Sequence, residues 1–305
     1  MNHQSSAIAE VQSQVGKVAV ASAQLRWPLV RLLRPRQWIK NGFVLAPLIF
    51  AGQYLDRQAV EESLGAMILF CIASSAAYIF NDLHDVNSDR LHPFKRRSRP
   101  LASGAISTRR AVAMLAALWG VLLLGLLVRP VAASGLAAYV ILNLAYTLRL
   151  KYVPVVDLFC IALGFVLRVF VGALAVAVPL SSWMLITTLC LALYLASIKR
   201  RQELDANGNA GRTVLEVYSI RLLDRYAQLA ALSAIVFYGL FVIEVRPQLV
   251  VTIPLVLFGL FRYWFIVEKL GGGESPTDAL WGDSVLLSAV LLWIAVVAYT
   301  LRPLP

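Results

Sequence analysis

The run ESLGAMILFCIASSAAYIFNDLHDVNSD at residues 62–89 decides which fold this chain can adopt. Its first part, residues 62–81, is mostly apolar, and about 20 apolar residues are what a helix needs to cross a bilayer. Three Asp residues follow directly on that apolar stretch. The sequence therefore predicts a transmembrane helix that ends in a group of carboxylates at the membrane boundary.

Apolar runs of similar length recur through the rest of the chain, which has 305 residues and is 59% hydrophobic. A soluble globular chain would carry more charge and fewer such runs. The sequence thus predicts an all-α integral membrane protein with about nine transmembrane helices. The expected spans are residues 40–55, 62–81, 110–128, 131–147, 155–175, 182–198, 227–245, 248–267 and 284–302.

The N-terminal stretch differs from the remainder of the chain. Residues 1–25 are polar and lack the apolar core of a signal sequence. We expect a disordered tail over residues 1–25 and one membrane domain over residues 26–305.

The net charge of +11 is distributed unevenly between the two sides of the expected spans. Only Arg57, Arg129, Arg246 and Arg302 fall on one side and Arg168 falls inside a span, whereas every other Lys and Arg falls on the opposite side. Cytoplasmic loops carry such an excess of basic residues. The pattern predicts a multi-pass protein of the inner, cytoplasmic membrane, with a cytoplasmic N-terminus and its polar site facing the cytoplasm. Orientation in the membrane accounts for part of this charge, but the 13 cations of two loops exceed what orientation needs. We expect no nucleic-acid partner, and a homo-oligomer is left open.

Four polar residues follow the apolar run at helical spacing: Asn81, Asp82, Asp85 and Asp89. If the helix continues, all four share one face. Three carboxylates on one face repel each other unless a cation lies between them, and Mg²⁺ prefers carboxylate and phosphate oxygens. The alternative, a solvated acidic helix end, explains little, because the helix dipole disfavours negative charge at a C-terminus. The four residues are therefore predicted to bind Mg²⁺.

Basic residues surround the acidic run on the same predicted side. Lys95 and Arg99 follow it most closely, and both residue types bind phosphate oxygens. The alternative is that these charges only set the orientation in the membrane. Two further polar elements face the same side and would complete a bowl over the helix bundle; they contain Tyr146, Lys151 and Asp157, and Lys199, Arg200 and Glu203.

Arg168 lies in the middle of an apolar run. A charge at that depth costs at least about 2.5–3.5 kcal/mol on insertion scales, which makes it a candidate for function. Asp157, Gly164 and Arg168 would form one stripe of the helix. Contact with a substrate and an internal ion pair that only fixes helix packing agree equally well with the sequence.

The pattern NDLHDVNSD at residues 81–89, followed by RPLASG at residues 99–104, resembles the UbiA superfamily of intramembrane prenyltransferases. The run RPRQWIKN at residues 34–41 resembles the start of one branch, the decaprenyl-phosphate phosphoribosyltransferases. The resemblance runs from residue 31 to the end of the chain. It implies a UbiA-like bundle of nine helices with a cytoplasmic Asp-rich motif that holds a magnesium diphosphate.

The branch resemblance further implies a reaction and a set of site residues. The reaction is transfer of 5-phosphoribose from phosphoribosyl diphosphate (PRPP) to a polyprenyl phosphate, with Mg²⁺ as cofactor. Asp82, Asp85 and Asp89 would be catalytic and would hold the metal together with Asn81. The implied substrate-binding residues are Lys40, Asn81, Lys95, Arg99, Tyr146, Lys151, Asp157, Arg168, Lys199, Arg200 and Glu203.

The chain departs from the quinone-type members of the superfamily, which usually carry a second DxxxD motif after the sixth helix. Residues 199–208 read KRRQELDANG, with Glu203 and Asp205 only two positions apart. This counts against a first alternative, an aromatic prenyltransferase that uses a prenyl diphosphate. A second alternative is a transporter of a phosphorylated lipid, but transporters place their binding groups near the midplane, whereas these carboxylates lie at the boundary.

Overall fold

The structure is a computed structural model that describes residues 28–92, 95–207, 213–269 and 276–302. Every element in these ranges is helical. The α-helices are α1 (Pro28–Leu33), α2 (Ala46–Phe50), α3 (Arg57–His84), α4 (Val86–Leu91), α5 (Lys95–Ser98), α6 (Thr108–Val128), α7 (Ala133–Leu148), α8 (Val156–Ala175), α9 (Ser182–Asn207), α10 (Ile220–Val245), α11 (Ile253–Lys269), α12 (Pro276–Gly282) and α13 (Ser284–Thr300). Short 3-10 helices cover Pro35–Leu45, Pro130–Ala132, Leu150–Tyr152, Thr213–Val217 and Pro247–Thr252. The expected tail at residues 1–25 lies outside the described ranges.

Within the described ranges, 7 helical segments are long and apolar enough to cross a membrane. They are Arg57–His84, Thr108–Val128, Pro130–Leu148, Val156–Ala175, Ser182–Ala206, Ile220–Val245 and Pro247–Lys269. Each contains or closely matches one of the spans expected from the sequence. The protein is therefore an all-α, multi-pass membrane protein.

The first expected span differs from the prediction. Residues 40–55 do not form one long helix: the 3-10 helix of 11 residues is followed by α2, which has only 5. The last expected span, residues 284–302, is formed as α13, and the preceding helix α12 meets it at 98°. Asp283 causes the new start, since its side chain caps α13 by accepting a hydrogen bond from the Leu286 N–H at 2.7 Å. Counting the bent pair as one span gives up to 8 in the described ranges.

Side-chain caps fix where the long helices begin. Asp56 starts α3 by accepting hydrogen bonds from the N–H groups of Gln58 and Ala59, at 2.8 and 3.3 Å. Ser107 and Ser219 cap α6 and α10 in the same way. Each cap satisfies amide groups that a helix terminus leaves without an intrahelical partner.

A glycine allows α8 to lie directly against the N-terminal 3-10 helix. A Cβ atom at Gly172 would lie 2.0 Å from the carbonyl oxygen of Val44, so no larger residue fits there. The buried side chains of Phe70, Leu136 and Val171 pack around this contact. The N-terminal segment is thereby held inside the bundle, next to α3 and α8.

Several connections between helices meet on the side of the bundle that contains Ser98, Arg201 and Glu268, and we call this side the polar end. Arg31 donates a hydrogen bond to the Ser98 carbonyl oxygen at 2.9 Å, which ties α1 to the end of α5. Arg201 on α9 lies 2.6 Å from both Asp224 on α10 and Glu268 on α11. Residues that are far apart in the sequence are thus brought together at this end.

Candidate active site

The Asp-rich run lies where α3 gives way to α4. The α-helix ends at His84, and Asp85 has φ −92° and ψ 4° before α4 begins at Val86. The helix that could have continued through the run is therefore interrupted at Asp85. Carboxylates in a last turn oppose the helix dipole, which favours an end to the helix at this point.

Asp82 precedes this break and Asp89 follows it, and both side chains are buried. Their side chains are 2% and 4% exposed. Arg99 joins them, since its Nη1 lies 3.0 Å from Asp82 Oδ1 and also donates to Asp89 Oδ2. Arg34 Nη2 lies 2.5 Å from the same Asp82 oxygen, and Lys95 Nζ lies 3.9 Å from Asp89 Oδ1. Both carboxylates are thus neutralised by basic side chains.

The second oxygen of Asp82 has no such partner. Asp82 Oδ2 is buried and accepts no hydrogen bond from any described residue. A buried carboxylate oxygen without a partner costs free energy, so it is suited to accept a cation. Within the described ranges, no three His, Cys, Asp or Glu side chains converge on one point. The three predicted carboxylates therefore do not meet at one point among the described residues. Asp82 and Asp89 fit Mg²⁺ if a substrate supplies further oxygens, which is how Mg²⁺ is usually bound.

Asp85 faces a different set of partners. Its Oδ1 lies 2.5 Å from Lys151 Nζ and 3.0 Å from His84 Nδ1. Burial raises the pKa of Asp85, but the hydrogen bonds from His84 and Lys151 outweigh it and hold the pKa below its ordinary value. Asn81, one turn earlier, accepts a hydrogen bond from Thr147 Oγ1 at 3.4 Å. The run thus contacts α7 and the 3-10 helix that follows it.

A second polar cluster is centred on Arg200, which is 1% exposed. Its Nε and Nη1 donate to Asp157 Oδ2 and Glu203 Oε2, each at 2.7 Å, and its Nη2 donates to the Tyr146 hydroxyl at 3.0 Å. The Tyr218 hydroxyl donates to the other Asp157 oxygen at 2.8 Å. Four of the predicted substrate-binding residues are therefore brought together, but in this structure they bind each other.

Backbone strain at Val155 accompanies this cluster. Val155 has φ 69°, which is rare and unfavourable for a β-branched residue. Its N–H donates to the Tyr218 hydroxyl at 2.6 Å. This bond fixes Val155, the residue that directly precedes α8 and lies two positions before Asp157. Burial raises the pKa of Tyr218, and the nearby Asp157 carboxylate raises it further, so the phenol stays protonated and remains a donor.

Arg168 lies on α8, about 16 Å along the helix from Asp157. Its guanidinium donates to Asn41 Oδ1 at 2.9 Å, to the Gly164 carbonyl at 2.7 Å and to the Tyr139 hydroxyl at 3.1 Å. It also lies 5.5 Å from the centre of the Phe70 ring. The internal ion pair considered from the sequence is not formed within the described part of the chain. Neutral oxygens and aromatic faces hold this charge instead.

Two predicted lysines lie at the edge of these clusters. Lys40 is close enough to Arg34, Arg168 and Asp278 to interact with their charges. Asp278 belongs to α12, which packs against the N-terminal 3-10 helix. Lys199 Nζ lies 3.8 Å from Glu203 Oε1. The two lysines thus border the Arg168 and Arg200 groups, respectively.

Sequence reasoning missed Arg34 as a member of the site. This residue has φ 53° and precedes Pro35, and its guanidinium lies 4.8 Å from the centre of the Tyr78 ring while it contacts Asp82. The RPRQW run had pointed to this segment, but only through resemblance and as part of the orientation signal. Its contact with Asp82 spans 48 residues of sequence, and no spacing rule reveals such a contact.

The chain is similar to known proteins in sequence and in fold. The UbiA prenyltransferase family model matches residues 44–275. A decaprenyl-phosphate phosphoribosyltransferase of Corynebacterium glutamicum is 30% identical, covering 91% of this chain and 87% of its own. One of Mycobacterium tuberculosis is 33% identical, covering 88% and 92%.

A solved structure shares the fold. A UbiA homologue from Archaeoglobus fulgidus bound to DMAPP and Mg²⁺ superimposes with a TM-score of 0.69 at 20% identity, covering 91% of this chain and all of the other. At that identity the likeness shows the fold alone. The family match spans most of the chain, including the Asp-rich run and the Arg200 cluster. The chain therefore belongs to the UbiA prenyltransferase family and is a membrane-bound transferase.

Proposed function

We propose that the protein transfers 5-phosphoribose from PRPP to a polyprenyl phosphate such as decaprenyl phosphate, giving polyprenylphosphoryl-5-phosphoribose and diphosphate. Such a product is a precursor for cell-wall arabinan. The similarity to two relatives that are named for this activity supports the proposal. The structural observation that carries it is the excess of cations over carboxylates at the Asp-rich run, where Asp82, Asp85 and Asp89 are contacted by Arg34, Lys95, Arg99 and Lys151.

An excess of positive charge suits a reaction between two anions. PRPP and a polyprenyl phosphate repel each other, and bringing them together requires fixed cations on both sides of the reacting centre. Lys95, Arg99 and Lys151 would serve the diphosphate and the lipid phosphate, with Lys40 and Lys199 at the edges. A prenyl diphosphate and an aromatic acid carry less negative charge than PRPP and a polyprenyl phosphate, and would need fewer cations.

The proposed step exchanges one bond at the ribose. The C1–O bond to diphosphate breaks, and a bond forms between C1 and a phosphate oxygen of the lipid. That oxygen is already anionic, so no general base is required. Asp82 and Asp89 would hold Mg²⁺ together with Asn81 and Asp85, and the metal would act as a Lewis acid toward the leaving diphosphate.

The Arg200 cluster would orient the sugar. Glu203 and Tyr146 are the candidates to contact ribose hydroxyl groups. We assign Arg200 and Asp157 to hold these two side chains in place, because both are buried and bound to each other. Arg168 lies farther into the membrane and would contact at most the lipid.

The polar end would face the cytoplasm, with the N-terminus on the same side and the protein in the inner membrane. The distribution of Lys and Arg supports this orientation. Residues 26–305 would form the catalytic membrane domain, and residues 1–25 would form a separate tail.

A paired assay on membranes that contain the protein tests the proposal. One sample receives labelled PRPP and decaprenyl phosphate, and the other receives a labelled aromatic acid and a prenyl diphosphate, each with Mg²⁺ or with a chelator. We expect Mg²⁺-dependent label in the lipid fraction of the first sample only. Label in the second sample only would replace the proposal by aromatic prenylation, and label in neither, with intact protein, would refute both.

A further inference from the structure

Arg99 occupies the position between Asp82 and Asp89 that a metal ion would share. Its guanidinium contacts one oxygen of each carboxylate, and its side chain is 16% exposed. The other oxygen of the Asp82 carboxylate, Oδ2, is buried and has no hydrogen-bond partner among the described residues. Arg99 therefore neutralises the two carboxylates, and yet Asp82 Oδ2 accepts no hydrogen bond from a described residue.

Arg34 and Arg99 share the carboxylate of Asp82 but differ in freedom to move. Arg34 follows α1 at φ 53°, is succeeded by Pro35 and stacks on Tyr78. Arg99 lies in the connection between α5 and α6, at the start of a turn formed by residues 99–104. Because Arg34 is held by its backbone and its ring contact, Arg99 is the cation that can leave.

Displacement of Arg99 by a metal ion alone would be unfavourable. The guanidinium would lose both carboxylates while still close to a divalent cation, and a partly buried charge without a partner is strongly destabilising. A diphosphate changes this balance, since its oxygens can accept bidentate hydrogen bonds from the displaced guanidinium. The same diphosphate also supplies the further ligands that Mg²⁺ requires.

We propose that Arg99 is an exchangeable counter-ion that couples metal binding to diphosphate binding. In the absence of substrate it holds Asp82 and Asp89; when a metal diphosphate arrives, it transfers from the carboxylates to the phosphate oxygens. The metal consequently binds poorly by itself and enters together with the diphosphate. The inference rests on the proposed function only in requiring a diphosphate-bearing substrate.

Metal binding to the full-length protein in lipid nanodiscs tests this inference without any turnover. Mn²⁺ is the probe, and the free ion is measured by electron paramagnetic resonance with and without inorganic diphosphate. For the wild-type protein we expect inorganic diphosphate to tighten Mn²⁺ binding by at least about tenfold, beyond the binding of Mn²⁺ to diphosphate in solution. Equal affinity with and without diphosphate would overturn the inference without recourse to any variant.

Three variants locate the coupling. Arg99→Gln should bind Mn²⁺ alone at least about tenfold more tightly than wild type and lose most of the coupling. Arg99→Lys keeps the charge and should bind Mn²⁺ alone as weakly as wild type. Arg97→Gln removes the same charge from an exposed neighbour and should leave both affinities unchanged.

The pattern of results separates this inference from the proposed function. If Arg97→Gln tightens Mn²⁺ binding as much as Arg99→Gln does, net charge and not counter-ion exchange explains the effect, and the inference fails. If the coupling is found but no phosphoribose is transferred in the paired assay, the inference stands and the proposed substrate is wrong. If transfer occurs without coupling, only the inference is lost.

Discussion

Asp85 differs from the other carboxylates of its run in its partner, because it lies at the helix break itself and binds Lys151. Lys151 is only 6% exposed and depends on Asp85 for neutralisation. The hydrogen bonds from His84 and Lys151 hold the pKa of Asp85 below its ordinary value, so its carboxylate is ionised at neutral pH. Asp85 therefore links the acidic run to the segment that follows α7.

Replacement of Asp85 tests the contribution of this carboxylate. Asp85→Asn should lower turnover about ten- to a hundredfold, because metal binding and the position of Lys151 both depend on the charge. Membrane insertion should be unaffected. Asn87→Ala, an exposed position on α4, is the control and should keep full turnover. Near wild-type turnover of Asp85→Asn in the paired assay would remove Asp85 from the metal site.

At the scale of single residues, the sequence predicted which residues gather around the Asp-rich run, but it missed some of the contacts between them. The spacing of Asp82 and Asp89 correctly indicated that they lie near each other, and Lys95 and Arg99 lie beside them as expected. Arg34 could not be found in this way, because its position depends on how the N-terminal segment folds back onto α3. Likewise, no local pattern shows that Arg168 is surrounded by neutral groups.

Among the helices, α8 and α9 are joined by the buried pair of Asp157 and Arg200. Tyr218 extends this connection to the segment before α10. Removal of one member of a buried ion pair leaves the other charge uncompensated and costs about 3–5 kcal/mol. This connection therefore stabilises the second half of the polar end.

We expect Asp157→Asn to destabilise the protein by about 3 kcal/mol, near the lower limit because Glu203 still pairs with Arg200. Thermal unfolding in detergent measures the change. Asp205→Asn, at an exposed position on α9, should have no effect. Unchanged thermal stability with lost activity would instead mean that Asp157 contacts the substrate directly.

The long helices could be predicted because their apolar runs are nearly uninterrupted. The failure at residues 40–55 has a local cause that hydropathy does not detect: Pro47 and the polar pair Lys40 and Asn41 accompany a 3-10 helix that gives way to a short α-helix. At the C-terminal end, the expected start at residue 284 agrees with the cap that Asp283 provides for α13.

At the scale of the whole molecule, the basic residues of the connections and the Asp-rich run lie at the same end of the helix bundle. Connections that are far apart in the sequence meet at the polar end, as the contacts of Lys151 with Asp85 and of Arg201 with Glu268 show. Arg57 and Glu61 lie near the opposite end of α3. A single orientation in the membrane would therefore expose the Asp-rich run and the Arg200 cluster to one compartment, whereas Arg168 lies farther along α8.

Cysteine labelling checks this orientation. A membrane-impermeant maleimide should label Arg97→Cys only in inside-out vesicles and Arg57→Cys only in right-side-out vesicles. Native Cys160 and Cys190 are buried and Cys71 is partly buried, so the background should be low. The unsubstituted protein is the control. The reverse pattern would place the polar end outside the cell and contradict the proposed location.

The environment of Arg168 also has a consequence for the biogenesis of the protein. Helix α8 carries a full charge to the middle of the bilayer, and its guanidinium is satisfied partly by Asn41 and Tyr139 from other segments. Both of these residues precede α8 in the chain, so the ribosome delivers the partners before the charge. The close contact of Gly172 with Val44 gives the emerging helix a place to dock. The order of the segments thus makes partners for the Arg168 charge available before α8 leaves the translocon.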